Sequence, residues 1–212
     1  APAVDSPVGY IADKSGNGNH AIQATSDKRP TLRQSGSLYY LEYDGANDCL
    51  ATSAIDFTGT DEMTIFTGAK KIANSTMVLA ELATSVGAVY GAFRLASLSD
   101  VWRWGTRGNG STVNVNASTY GANSTSVITA ISDISTPVAT IRVDGVQKAT
   151  SSTSQGSGNF GNHVLNVGAR NNGATLQLDG HIYGMIVRAA TSSSEEISST
   201  EAYMATKTGV TL

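Results

Sequence analysis

The sequence predicts an all-β chain, folded as a two-sheet antiparallel jelly-roll β-sandwich with one short C-terminal helix. Three observations predict it. About a dozen short runs rich in β-branched and aromatic residues are separated by turns of Gly, Asn and Asp. Asp144-Gly145 stands between two β-prone runs, the pattern of a two-residue hairpin whose central residues both take positive φ. Only one helix signal is present, at the end of the chain, and strands do not alternate with helices. Closing such a chain as a jelly roll protects its edges.

Taken in order, residues 13–21 (DKSGNGNHA) form an ordered tight turn, since Gly and Asn tolerate positive φ. Residues 38–45 (LYYLEYDG) are a half-buried strand, with Leu41 and Tyr43 on one face and Tyr40, Glu42 and Asp44 on the other. Strands follow at 63–72, 77–82, 90–95, 101–106 and 125–131, then the hairpin 138–143/146–150. Residues 151–161 are a Ser/Gly-rich connection, short enough to be an internal loop. The stretch 163–188 places two apolar runs around an Asn/Gly-rich turn. In the second run Ile182, Tyr183, Met185, Ile186 and Val187 leave no polar face, which predicts a strand covered on both sides near the middle of a sheet, paired with strands from much earlier in the chain. Ser192 and Ser193 each precede a glutamate by three residues, the spacing of a reciprocal cap at a helix start. Ile197, Tyr203 and Met204 supply a narrow apolar stripe, Lys207 suits the helix end, and Gly209 is the expected stop.

The chain has 212 residues, a formal net charge of -3 and a pI near 5.5. That length suits one all-β domain spanning 1–212, and it is enough to bury a core without staples. The acidic balance argues against nucleic acid as partner. No apolar run reaches a membrane span, and no signal-peptide pattern opens the chain. The start at Ala1, with no Met, suggests a processed product or a domain of something longer. Cys49 is the single cysteine, so no intrachain disulfide forms; with no basic neighbour in sequence it reads as a buried, inert thiol.

At this point the motifs resemble a known group. Asp13-Lys14-Ser15-Gly16-Asn17-Gly18-Asn19, residues 41–48 (LEYDGAND), Ile141-Arg142-Val143-Asp144-Gly145, Val167-Gly168, Asp179-Gly180-His181-Ile182 and the closing run from Glu195 to Tyr203 resemble, in order and spacing, the concanavalin A-like superfamily in its laminin G-like, pentraxin-like branch. One departure is that Tyr183-Gly184 follow Ile182 where such domains often carry an Asp-Glu pair. The Ser/Thr/Asn-rich texture and the ending are similar to domains of this fold on bacteriophage tails and virions. The resemblance implies a surface or extracellular domain that binds a host-surface glycan or decorates a particle beside other virion subunits. Fold alone does not fix function.

For a site, the sequence offers residues 101–109 (VWRWGTRGN). Trp102 and Trp104 share one strand face and Arg103 takes the other. Arg107 and Asn109 follow in the loop. Tryptophans stack on the apolar faces of sugar rings while Arg and Asn bond the hydroxyls, so Trp102, Trp104, Arg103, Arg107 and Asn109, with Tyr90 from a neighbouring strand, form the candidate saccharide site; Arg94 would extend it. The alternative is that the tryptophans fill the core. Glu42 and Asp44 share a face with Asp48 near by, a possible hydrolase pair, but the turn at Asp44-Gly45 explains them and no full catalytic pattern is present. His163 and His181 lie on the last two strands as possible neighbours for a lyase. Asp13, Asn17, Asn19, Asp44 and Asp179 are oxygen donors in turns that would suit a structural calcium. These residues predict a non-catalytic carbohydrate-binding module, with an assembly domain and a glycan-cleaving enzyme as rivals.

Overall fold

The computed structural model describes residues 2–212. In chain order its strands are β1 (Tyr10–Ile11), β2 (Ala21–Ile22), β3 (Thr31–Ser35), β4 (Leu38–Asp44), β5 (Leu50–Asp56), β6 (Glu62–Lys71), β7 (Met77–Leu82) and β8 (Ala92–Leu98). Then come β9 (Val101–Arg107), β10 (Val113–Ala117), β11 (Thr125–Asp133), β12 (Val138–Val143), β13 (Val146–Ser151), β14 (Asn162–Val167), β15 (Asp179–Arg188) and helix α1 (Ser194–Thr208). The strands build an eight-stranded sheet, β1-β2-β5-β14-β7-β8-β9-β10, and a seven-stranded sheet, β13-β12-β11-β6-β15-β4-β3. This is the two-sheet antiparallel sandwich that the turn pattern predicts.

Period-two alternation decides what lies between the sheets. Along β8, β9 and β10 the inward residues are Phe93 and Leu95, Trp102 and Trp104, and Val113, Val115 and Ala117. They meet Met63, Ile65 and Ile141 from the other sheet in one continuous core. Burying each large apolar side chain contributes roughly 1.5–3 kcal/mol. The outward residues of the same strands are Arg94, Arg103, Gly105, Arg107, Asn114 and Asn116, so one alternation supplies both the core and an outer polar face.

β15 lies between β6 and β4 inside the seven-stranded sheet, as its apolar run predicts, but it is not covered on both sides: Ile186 is 38% exposed, because the single helix covers only part of the outer face. Its outer side is partly roofed by α1, where Met204 packs on Phe66 and Val127. Gly68 lets the helix settle: a Cβ there would strike the Thr208 side chain. Ser193, not Ser192, is the cap, its hydroxyl accepting from the Glu196 amide while the Glu196 carboxylate accepts from the Ser193 amide. Gly209 ends the helix at φ 75°. Tyr203 departs from the expected stripe and is 52% exposed, because only a narrow face of α1 touches the sheet.

Asp144 and Gly145 both take positive φ, 51° and 76°, and the Asp144 carboxylate also accepts from the Val127 amide at 2.8 Å. The 152–161 connection is pinned from within by Gln155. Its carbonyl accepts from Thr106 and Ser132, and its amide donates to the Asp133 and Val138 carbonyls. With all its polar atoms paired, this fully buried glutamine fastens an otherwise loose Ser/Gly segment beside the β9–β10 turn.

Candidate ligand-binding face

The first outcome at the site is a correction. Trp102 and Trp104 do share a face, but that face points inward, and both rings are 0% exposed. Their indole N–H groups donate to Ser126 Oγ at 3.3 Å and to the Ile131 carbonyl at 3.1 Å, both on β11 across the sandwich. Lys71 Nζ lies 4.8 Å from the Trp102 ring centroid. The rings have no surface left for a sugar to stack on, because two large indoles at one end of the sandwich fill its core.

What the same strand turns outward is arginine. Across the ladder Glu81 faces Arg94, Arg94 faces Gly105, and Gly105 faces Asn114. One step along on the same face, Ala96 faces Arg103 and Arg103 faces Asn116; one step back, Ala92 faces Arg107. Arg103 and Arg107 therefore flank Gly105 on β9 with Arg94 beside it on β8, each roughly 7 Å from the next by strand geometry. Asn114 leans into the space above Gly105, its amide oxygen 2.7 Å from where a Cβ would sit. Arg103 Nε donates to Asn116 Oδ1 at 2.9 Å.

Two connections rise beside this floor, and Glu81 ties both down. Its fully buried carboxylate accepts from Arg170 Nε at 2.8 Å and Nη2 at 3.0 Å, which holds the β14–β15 connection. It also accepts from the Val86 amide at 2.8 Å, which holds the β7–β8 connection. Ala83, Val86 and Ala92, with Val89, form a small apolar cluster beneath that second wall. Arg94 receives no comparable treatment. Its Nε is buried without an acceptor. Burial lowers its pKa, the Glu81 charge works the other way, and the nearby Arg170 and Arg103 charges add to the lowering. An unpaired buried donor costs about 1–3 kcal/mol, so this arginine is held in place at some expense.

At the rim, Arg107 joins two loops through its bonds to the Gly87 and Gly110 carbonyls, each 2.7 Å. Its guanidinium sits 4.5 Å from the centroid of Tyr90, which is 60% exposed. Tyr90 lies in the connection just before β8, which begins at Ala92, two residues later than the sequence predicts. Asn109 is spent on the fold: its side chain bonds the Ser157 hydroxyl and amide at 2.9 and 2.7 Å. Of the six predicted residues, Tyr90, Arg103 and Arg107 thus reach the outer surface, Asn109 braces the loop, and the two tryptophans belong to the core. Arg170, Glu81, Asn114 and Asn116 were not singled out in sequence. The Asn residues are signalled by the alternation VNVNA; the ion pair spans 89 residues and has no local signal.

The other candidates separate. His163 is on β14 in one sheet and His181 on β15 in the other, so the last two strands do not bring them together. His163 Nε2 lies 3.1 Å from the Tyr90 carbonyl, and His181 stacks on Tyr40 at 4.1 Å between ring centroids. Glu42 pairs with Arg33. Asp44 Oδ1 accepts from Ala46 and Asn47 amides within its turn. Asp13 accepts from Ser15 and Asn19 amides at 2.8 and 3.0 Å. These oxygens already serve their own turns, and among the described residues no group of three or more His, Cys, Asp or Glu side chains is placed to hold a metal. Cys49 is buried, with its sulfur 2.9 Å from Gln23 Nε2. No described helix is long and apolar enough to cross a membrane.

Comparison with known proteins shows the fold. No protein-family model and no curated protein matches the chain. Among solved structures it is similar to the botulinum neurotoxin serotype D binding domain, with a TM-score of 0.61 at 13% identity, covering 94% of this chain and 51% of that one. It is similar to the binding domain of botulinum neurotoxin DC in complex with SialylT, with a TM-score of 0.62 at 12% identity and coverages of 94% and 52%. The botulinum neurotoxin type G receptor binding domain follows at a TM-score of 0.58, 9% identity and coverages of 93% and 51%. The chain spans about half the length of these relatives in structure, and what it shares with them is the jelly-roll β-sandwich.

Proposed function

We propose that this chain is a non-catalytic carbohydrate-binding module, and that its saccharide lies on the outer face of the eight-stranded sheet. The observation that carries the reading is the array on that face: Arg94, Arg103, Asn114 and Asn116 project from adjacent strands around Gly105, which Asn114 covers, with the exposed Tyr90 ring at the margin. Sugar hydroxyls need directional donors and acceptors, and forked guanidinium and amide groups on rigid strands provide them. The likeness to a neurotoxin binding domain described in complex with SialylT supports the reading by analogy. A place on a phage tail or virion surface, facing a host-cell polysaccharide, belongs to the same proposal and rests on the resemblance of the turn series, the Ser/Thr/Asn-rich texture and the ending of the chain. A glycan array with the unmodified protein tests it. Binding to at least one saccharide family, weakened about tenfold or more in Arg103→Ala protein that still folds, is the expected result. Silence across a broad array would remove the reading.

A structural role in an assembly is the second reading. The observation that favours it is the edge of the eight-stranded sheet, where Tyr10, Ile11 and Ile22 stand exposed on β1 and β2. Light scattering separates the two: oligomers without saccharide affinity would favour assembly.

A further inference from the structure

We infer that the face around Arg94 takes an acidic saccharide, one carrying a carboxylate or a sulfate ester, and seats that oxyanion between Arg94 and Arg103. The inference rests on the carbohydrate reading above and narrows it to a ligand class. Its first support is local charge. The chain as a whole carries -3, yet Arg94, Arg103, Arg107 and Arg170 gather on or beside this one face with Glu81 between them. Glu81 is already satisfied by two bonds from Arg170 and one from the Val86 amide, so it attracts Arg94 without giving it a hydrogen bond.

The second support is the state of Arg94. Its Nε is buried with no acceptor, its terminal nitrogens, which lie outside that seal, have no protein partner among the described residues, and two of its near neighbours carry the same charge. Crowded like charges with unmet donors are relieved by an anion, and such arrangements concentrate at functional sites. The third support is geometry. Arg103 is tethered through Nε to Asn116, which fixes the plane of the guanidinium while its terminal nitrogens have no protein partner among the described residues. A guanidinium fork fits the two oxygens of a carboxylate or sulfate. The roughly 7 Å between neighbouring outward positions suits one sugar residue, with Asn114 and Asn116 on the next strand placed for its hydroxyls.

The test uses the whole protein on an array printed with neutral, carboxylated and sulfated saccharides. Each acidic ligand that binds is then compared with its methyl-esterified or desulfated form. The expected result is binding to acidic members, lost when the charge is removed and weakened by added salt. Arg94→Gln and Arg103→Gln should each weaken it by about 10–100-fold, while Lys14→Gln, in the remote exposed turn, should not. Thermal melts check that the variants fold. Should Arg94→Gln fail to fold, Arg103→Lys, which keeps the charge and removes the fork, should still lower affinity. Equal binding to neutral or charge-stripped saccharides overturns this inference and leaves the carbohydrate reading standing. Acid-selective binding that ignores both arginine changes overturns the site. No binding to any saccharide overturns both.

Discussion

Asp48 is 6% exposed, yet it is not paired with a cation. Its Oδ2 accepts from the Asp44 amide at 3.1 Å. Burial, and then the negative charge of Asp44, push its pKa up from 3.8 to about 6. A carboxyl group that binds its proton more tightly when folded favours the folded state at low pH. That contribution is complete below the unfolded value near 4 and is lost as pH rises through about 6. Asp48→Asn keeps an acceptor for the Asp44 amide and removes the buried charge. The variant should be more stable at pH 7 by about 1–2 kcal/mol, after allowing for solvent screening. It should also lose much of the change in stability between pH 4 and 6. Urea unfolding at several pH values checks both, and parallel curves for the two proteins would contradict the account. The same scale shows where sequence reading ends. Alternation correctly placed Trp102 and Trp104 opposite Arg103, but which side faces the core depends on β11 arriving more than twenty residues later to accept the indole N–H groups. No local pattern carries that information.

Between elements, α1 is joined to the seven-stranded sheet by a charged contact as well as an apolar one. Glu201, 3% exposed, accepts from Arg142 Nε at 2.8 Å, from Arg142 Nη2 at 3.0 Å and from the Thr129 hydroxyl at 2.8 Å. Removing one partner of a buried pair strands the other. Glu201→Ala should therefore cost about 2–3 kcal/mol, less than a fully enclosed pair because Arg142 retains some access to water. The midpoint of urea unfolding measures it; a change below about 0.5 kcal/mol would show that the pair adds nothing net. The helix itself was legible, since its capping box and glycine stop are short-range signals, and so were the Asp144-Gly145 hairpin and the internal place of β15 in its sheet. Strands β1, β2, β3, β5 and β10 were not singled out. β10 reads VNVNA, whose alternation is a strand signal, but five residues with two asparagines make a short one that gains its meaning only beside β9.

For the whole molecule, the sandwich divides its labour by side of sheet. Strands β8, β9 and β10 send one set of residues to the shared core and the other to the outer face, whereas β7 is buried on both sides; the pattern that stabilises the fold thus also assembles the candidate site. That arrangement explains why the six predicted residues divide between the surface and the interior. Arg103, Arg107 and Tyr90 are surface residues in sequence and in space, whereas Arg170 and Glu81 meet only because the β14–β15 connection folds back over β7. The sealed indoles carry a practical consequence. Trp102 and Trp104 are the chain's only tryptophans, so native fluorescence should be blue-shifted and resist acrylamide quenching, then move red on denaturation. Adding a bound sugar on the far side of the sheet should leave the emission nearly flat. A fluorescence titration would score a working receptor as inert, and a ligand search that relied on this optical signal would pass over the very partner it was built to find.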